Sequence, residues 1–257
     1  MSTKTDLAKE IIDQISPDYP KKKEKFFGKT KITEITVETP EEADLLEKPN
    51  GRYITIEADS IRPPFDSFDE EAAAIDAEIG RLLPKKDKIL VVGIGNEGLT
   101  ADSLGPLTAK KLPCGKFSGR ELFAFSPGVS GATGIEPDLL IKSAAEKLEP
   151  DGIIIIDSLL AENIFHICRT IQLTDSGIAP GSGISGKRKA LNRESIGFPV
   201  IAAGTPTVTL SAESDSLFVS PGDIDFLIKR AARLLAVSLV LAVFPEIGIE
   251  TAKEWVI

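Results

Sequence analysis

Apolar residues in the first quarter of the chain alternate with polar ones. The alternation is close to strict in Lys31–Val37 and again in Arg52–Glu57, with a polar turn around Pro49–Gly51 between them. A period of two residues predicts strands that are buried on one face, and we expect these two to pair antiparallel. The basic cluster Lys21–Lys25 is interpreted as a solvated loop. Residues 1–66 are therefore predicted to form an N-terminal extension that carries a β hairpin.

From residue 67 onward, short apolar runs alternate with stretches of helical spacing. Helices are predicted at residues 68–83, 104–112, 136–148 and 223–243, and strands at residues 89–92, 121–125, 152–156, 164–173 and 199–203. Strands that alternate with helices are typical of a mostly parallel sheet covered on both faces. We therefore predict an α/β fold in which residues 67–257 form the core and residues 1–257 form a single domain.

Charge and hydropathy limit the kinds of partner. The chain has 30 basic and 39 acidic residues, which give a formal net charge of −9. This balance disfavours a surface for duplex nucleic acid, so we expect no direct nucleic-acid partner. The apolar segment Leu234–Phe244 is too short to span a bilayer and the first residues show no signal peptide, so we expect no membrane association. The two cysteines are expected to be reduced thiols in a cytoplasmic protein.

Two of the predicted core strands lead into aspartates. Asp157 directly follows strand 152–156, and Asp102 follows strand 89–92 after a glycine-rich turn. The carboxyl ends of parallel strands share one edge of a sheet, so the two carboxylates converge if their strands are neighbours. Burial and mutual repulsion can separate the pKa values of such a pair, which provides one acid and one base near neutral pH. The alternative is that each aspartate merely caps a helix.

Two glycine loops are candidate substrate-binding segments. The first, residues 126–134, follows a predicted strand, and the second, residues 177–186, leads into a basic cluster. Main-chain amides in such loops can hold an anion or the carbonyl groups of an extended chain, whereas the alternative for the second loop is a flexible surface loop. The candidate binding residues are Gly128, Gly131, Gly134, Asp175, Gly181, Ser182, Gly183, Lys187 and Arg188.

Other kinds of site have weaker support. The spacing Gly93-x-Gly95-x-x-Gly98 matches a dinucleotide-binding fingerprint, but Asp102 would repel a pyrophosphate there. His166 is the single histidine and lies in a predicted strand, so a histidine-based triad or a multi-histidine zinc site is not expected. We expect no cofactor. The alternative is a divalent metal held by Asp102, Asp157 and a third oxygen ligand.

Several segments, in order along the chain, resemble the spore germination protease family, which is related in fold to the hydrogenase-maturation endopeptidases. The resemblance extends over residues 31–245, and its matching segments are VVGIGNEGLTADSLGP, SPGVSGATGIE, DGIIIIDSLLAENI, TIQLTDSGIAPGSGISGKRKAL, GFPVIAAGTPTV and SPGDIDFLIKRAARLLAVSLVLAVFP. Together these segments are far more specific than any single glycine motif.

The resemblance implies a three-layer α/β/α sandwich, a homotetramer located in the spore core, and cleavage of small acid-soluble spore proteins during germination. The family's two essential aspartates fall on Asp102 and Asp157. The segment Thr5–Ala8 resembles the family's self-processing junction, which implies a zymogen. The chain departs from the family by a shorter stretch between Val208 and Phe218, and by Ala179 where members commonly carry histidine.

Three hypotheses follow. The first is an endopeptidase in which Asp102 and Asp157 share the activation of a water molecule, one as general base and the other as acid. The second is metal-dependent cleavage of the maturation-endopeptidase type, with both aspartates as ligands. The third is a non-catalytic relative that binds a peptide through the glycine loops.

Overall fold

The structure is a computed structural model that describes residues 5–15, 19–179, 189–211 and 214–256. Its helices are α1 (Ala8–Ile15), α2 (Pro40–Leu46), α3 (Phe68–Leu82), α4 (Leu104–Lys111), α5 (Ser130–Thr133), α6 (Pro137–Leu148), α7 (Arg193–Ile196), α8 (Ile224–Val243) and α9 (Ile249–Trp255). Its strands are β1 (Lys22–Phe27), β2 (Thr30–Val37), β3 (Gly51–Glu57), β4 (Lys88–Gly93), β5 (Gly115–Phe117), β6 (Arg120–Phe125), β7 (Gly152–Ala161), β8 (Thr170–Thr174), β9 (Val200–Ser211) and β10 (Ser214–Val219).

The described strands form one continuous sheet in the order β1-β2-β3-β8-β9-β7-β4-β6-β5, and β10 pairs with the end of β9. Strands β9, β7, β4 and β6 are parallel to one another. The pairs formed by β1, β2, β3, β8, β5 and β10 are antiparallel. The expectation of a mostly parallel sheet therefore holds for the four central strands only. Parallel neighbours need a long crossover, whereas strands joined by shorter connections can pair antiparallel.

Helices cover both faces of this sheet, which confirms the α/β/α arrangement. Ile89 and Val91 of β4 belong to the apolar cluster that includes residues of α3, α4, α8 and α9. Leu90 and Val92 point to the opposite face, where they pack with residues of α6 and α7. Helices α1 and α2 cover β2 and β3 on that second face. Residues Ile153–Ile156 are 0% exposed, and burial of each side chain contributes about 1.5–3 kcal/mol to folding.

The N-terminal extension contains the predicted hairpin strands and two unpredicted elements. Strands β2 and β3 pair antiparallel, with Ile32 opposite Ile56. The basic cluster Lys21–Lys25, expected to be a loop, instead lies largely within the edge strand β1. Helix α2 separates β2 from β3 and starts with a capping box in which Thr39 and Glu42 bond each other's main chain. The hairpin strands are thus joined by a helix and not by a tight turn.

The predicted strand 164–173 is divided in two. Residues Ile164–His166 form a 3₁₀ turn, and β8 begins only at Thr170. Cys168 between them has a φ of +50°, which interrupts extended backbone. His166 therefore lies in a turn and not in a strand as expected.

Two further local features were not predicted. Ser67 occupies the N-cap position of α3 without a side-chain cap hydrogen bond, its φ is +67°, and its hydroxyl donates to Glu71. Helix α9 lies beyond the last predicted element. Among the described residues, no helix is long and apolar enough to cross a membrane.

Candidate active site

The order of the central strands creates a crevice between β4 and β7. After β4, the chain forms α4 on one face of the sheet and later enters β6, the neighbour of β4 on one side. It then returns through α6 on the opposite face and enters β7 on the other side of β4. In open α/β sheets, ligands bind at such a switch point, outside the carboxyl ends of the two strands. This location is where the sequence predicted the two aspartates to meet.

Asp102 is held beyond the end of β4 by a tight main-chain approach. It is the last residue of the 3₁₀ turn Thr100–Asp102, and its Oδ2 accepts from the Asn96 N–H at 2.8 Å. Gly95 has a φ of +127°, and a Cβ at that position would lie 2.0 Å from the Asp102 carbonyl oxygen. Only glycine fits this combination of φ and contact without displacement of the turn. The glycine motif therefore positions Asp102.

Asp157 lies within β7 and is 5% exposed. Strand β7 was predicted to end at Ile156, but it continues to Ala161 beside β9. The Oδ1 of Asp157 accepts from the Ser158 N–H at 2.8 Å. Gly204 of β9 is the register partner of Asp157, and a Cβ there would lie 2.3 Å from the Asp157 carbonyl oxygen. The neighbouring strand therefore approaches Asp157 more closely than another residue type would allow.

Asp102, in the turn after β4, and Asp157, in the adjacent strand β7, lie at the same edge of the sheet. Gly93, the last residue of β4, is the register partner of Ile156, and the Ile94 N–H donates to the Ile156 carbonyl at 2.8 Å. Strand β4 therefore ends one residue before the level of Asp157. Neither aspartate occupies the N-cap of an α-helix, because Asp102 precedes the α4 N-cap Ser103 and Asp157 lies inside a strand. This placement disfavours the capping alternative.

The first glycine loop lies at the same edge. It follows β6, and the Ser126 hydroxyl donates to the Gly93 carbonyl at the end of β4 at 2.7 Å. A cavity of about 340 Å³ beside it is lined by Gly95, Gly128 and the ion-paired Glu97 and Lys110, among others. Gly131 lies in the short helix α5, and Gly134 ends it at a φ of +71°. Of the three predicted binding glycines, Gly128 is the one that lines this cavity.

Asp175 is held by an arginine away from the two aspartates. Its Oδ1 and Oδ2 accept from the main-chain N–H and the Nε of Arg52, at 2.7 and 2.8 Å. Asp175 follows Thr174, and the register partner of Thr174 is Ala202 of β9. Ala202 lies two residues before Gly204, the partner of Asp157, so Asp175 lies toward the opposite edge of the sheet from Asp157. The structure therefore does not join Asp175 to the pair. The predicted residues Gly181, Ser182, Gly183, Lys187 and Arg188 lie outside the described residues.

The segment that resembles a self-processing junction runs alongside β7 beyond Asp157. The Asp6 N–H donates to the Leu160 carbonyl at 2.8 Å. The Gln172 side chain bonds both the Asp6 carbonyl, at 2.8 Å, and the Ala8 N–H, at 3.0 Å. Leu7 between them is 0% exposed. Main-chain and side-chain hydrogen bonds therefore hold this segment beside β7, beyond Asp157.

Neither cysteine has the lowered pKa of a reactive thiol. Burial raises the pKa of Cys168 to about 12, which keeps the thiol protonated at neutral pH. Desolvation of the thiol also raises the pKa of Cys114, although this residue is exposed, and burial lowers the pKa of His166. His166 lies 3.8 Å from Glu10 of α1, an arrangement that links it to the N-terminal helix.

A metal ion would find few side-chain ligands at this edge. Within the part of the chain that the structure describes, no group of three or more histidine, cysteine, aspartate or glutamate side chains could hold one. A divalent ion bound by Asp102 and Asp157 would take its other ligands from main-chain oxygens or water, as Mg²⁺ sites often do.

Sequence reasoning missed the hydroxyl residues that follow Asp157 and Gly204 along their strands. Ser158 directly follows Asp157, and Thr205 and Thr207 follow Gly204 on the neighbouring strand. The Thr207 hydroxyl donates to the Ala101 carbonyl at 2.6 Å and so anchors the turn that carries Asp102. The signal available in the sequence was threonine at alternate positions after a glycine, in GTPTVT.

Comparison with known proteins identifies the family. The sequence profile of the germination protease family matches residues 6–238. The chain belongs to this family. The germination protease of Bacillus subtilis strain 168 is 38% identical over 228 residues, which cover 82% of this chain and 60% of that protein. That of Geobacillus sp. strain WCH70 is 39% identical over 220 residues, which cover 79% and 58%. The chain therefore spans about 60% of the length of these curated relatives.

A solved structure with a detectable likeness is a NiFe hydrogenase maturation protease from Thermococcus kodakarensis. It is 20% identical, with a TM-score of 0.44 over 63% of this chain and 98% of that chain. This likeness is too low to support an argument about mechanism.

Proposed function

We propose that this germination protease relative is an endopeptidase that degrades small acid-soluble spore proteins during germination. Membership of the germination protease family supports the reaction class. The observation that carries the assignment of residues is the position of Asp102 and Asp157 on both sides of the switch point between β4 and β7. The spore proteins as substrate follow from the family resemblance.

The proposed mechanism uses the two carboxylates in different protonation states. The ionised aspartate takes a proton from a water molecule, which attacks the scissile carbonyl. The protonated aspartate polarises that carbonyl or protonates the leaving amine. Main-chain amides of the loop near Gly128 hold the peptide or the developing oxyanion at the same edge. The second glycine loop and its basic residues contribute to substrate binding in this proposal.

The test uses Asp102→Asn and Asp157→Asn with a spore-protein substrate. An amide oxygen can still accept the main-chain hydrogen bonds from Asn96 and Ser158, so both variants are expected to fold. Loss of an acid or base lowers kcat by about 10²–10⁴-fold. The matched control is Asp225→Asn, because Asp225 lies on the exposed part of α8 and pairs only weakly with Lys229, at 3.6 Å. Retained cleavage in either active-site variant would refute the assignment.

Two alternatives have their own outcomes. Metal-dependent cleavage predicts loss of activity on exhaustive chelation and recovery when a divalent ion is added back. The second alternative is a peptide-binding protein without activity. It predicts peptide affinity that persists in both Asp→Asn variants and no cleavage product by mass spectrometry.

Location and assembly belong to the same proposal. We propose a homotetramer in the spore core, as the family resemblance implies. Light scattering that gives the mass of one chain, 27.5 kDa, would contradict the tetramer.

A further inference from the structure

A cavity of about 210 Å³ lies on the face of the sheet to which the Asp157 side chain points. Ile155 packs in the cluster with α6 and α7, and alternation along β7 puts Asp157 on that same face. Gly204, the register partner of Asp157 on β9, lines the cavity, and so does Leu159, two residues after Asp157. The cavity therefore begins one strand away from Asp157, a distance of about 4.8 Å in a sheet.

Small residues of β9 leave room for this cavity. Ala202 and Gly204 lie on the same face of β9, and both line the cavity. Their register partners on β8, Thr174 and Gln172, line it from the other side. The cavity is also lined by a residue of the apolar cluster with α6 and α7 and by one of the cluster with α1 and α2. It is therefore a gap between the two groups of helices on this face.

The walls of the cavity already hold a stretch of non-helical main chain. The Gln172 side chain bonds the Asp6 carbonyl at 2.8 Å and the Ala8 N–H at 3.0 Å. Lys48, which also lines the cavity, donates to the Thr5 carbonyl at 3.1 Å. Proteins that bind extended peptides use hydrogen bonds to the main chain for affinity and pockets for the side chains for specificity. The N-terminal segment is thus an internal example of main chain held at this surface.

The lining favours an uncharged, apolar side chain as the occupant. Leu159, Ile178 and Ala202 provide apolar surface. Burial of a charged side chain against this surface would cost its hydration, and the carboxylates of Asp6 and Glu47 would also repel an acidic one. A volume of about 210 Å³ is below the roughly 300–1,000 Å³ of sites for drug-sized ligands. The cavity therefore suits a single amino-acid side chain.

We propose that this cavity is a specificity pocket that receives one apolar side chain of the peptide substrate, such as leucine. The pocket is one strand from Asp157, so it selects a residue close to the bond that is cleaved. The lining residues Glu47, Pro49 and Ala190 are exposed and bring the cavity to the protein surface, where a peptide can enter. The inference rests on the proposed function, since the pocket serves the same site.

The experiment measures the affinity of the Asp157→Asn protein for synthetic peptides that together span a spore-protein substrate. In the peptide that binds most tightly, replacement of one apolar residue by alanine is expected to raise Kd about 10–100-fold, the effect of losing the burial of one apolar side chain. Ala190→Leu and Ala202→Leu each add a larger side chain to the lining. They are expected to raise Kd of the original peptide by a similar factor and to leave Kd of the alanine-substituted peptide unchanged.

Two features of the design keep loss of folding apart from loss of binding. Ala190 is exposed, so its leucine variant is expected to fold even if Ala202→Leu, at a buried position, does not. The matched control is Ala77→Leu, the same substitution at an exposed position of α3, which packs on the opposite face of the sheet. We expect it to bind both peptides with unchanged Kd. With Asp157 restored, the pocket variants are expected to raise KM for the original peptide with little change in kcat.

Three results would overturn the pocket. They are a peptide in which no single apolar residue affects Kd, an unchanged Kd of the original peptide in folded Ala190→Leu, or an equal loss of affinity for both peptides in that variant. Failure of the proposed function is a separate observation, because it requires that the wild-type protein cleaves none of the peptides that it binds. Affinities that follow the expected pattern without cleavage would support the pocket and refute the protease.

Discussion

Replacement of Gly95 by alanine tests whether the glycine turn positions Asp102. The φ of +127° at Gly95 is unfavourable for a residue with a Cβ, at a cost of about 1–3 kcal/mol. The Cβ would also lie 2.0 Å from the Asp102 carbonyl oxygen, about 1 Å closer than real Cβ contacts reach, and overpacking of this kind costs about 1–3 kcal/mol. Gly95→Ala is therefore expected to lower the free energy of unfolding by roughly 2–6 kcal/mol.

Gly119→Ala provides the control for backbone strain alone. Gly119 has a φ of +82°, but a Cβ there would meet no atom within 4 Å. The difference between the two variants therefore measures the contact with Asp102. Urea unfolding, followed by far-UV circular dichroism, gives both free energies. A displacement of Asp102 by about 1 Å is expected to reduce kcat about 100-fold in Gly95→Ala only. Equal stabilities of the two variants, together with full activity of Gly95→Ala, would refute the reasoning.

Two further predictions concern residues outside the aspartate pair. Asp175→Asn breaks a partly exposed ion pair with Arg52 and is expected to lower the free energy of urea unfolding by about 1 kcal/mol with no change in kcat. A loss of activity without a loss of stability would indicate that Asp175 contributes to the active site. Iodoacetamide at pH 8 is expected to label Cys114, which is exposed, in the folded protein, and Cys168, which is buried with a pKa of about 12, only after unfolding. Peptide mass spectrometry measures both labels, and equal labelling rates before unfolding would contradict the burial of Cys168.

Elements with a strong local pattern were predictable from the sequence. Helices α3 and α8 and strand β4 were found within a few residues, because their apolar spacing extends over the whole element. The start of β7 was found, but the strand continues to Ala161, beyond its run of isoleucines. Strand β1 was missed, since an edge strand with nearly every side chain exposed has no alternation to detect. The break at Cys168 was also missed. A single left-handed residue leaves no mark on hydrophobic periodicity.

The sequence by itself determined which strands are buried on both faces, which glycines form the turn before Asp102, and that Asp157 follows a run of four isoleucines. These features depend on neighbours within a few residues of one another. Only the tertiary structure decided that β4 and β7 are adjacent at a switch point, that Asp175 is bonded to Arg52, and that Ser158 lies beside Thr205. Strand order and register are set by contacts between residues far apart in the chain, and no local pattern encodes which of the possible neighbours a strand will pair with.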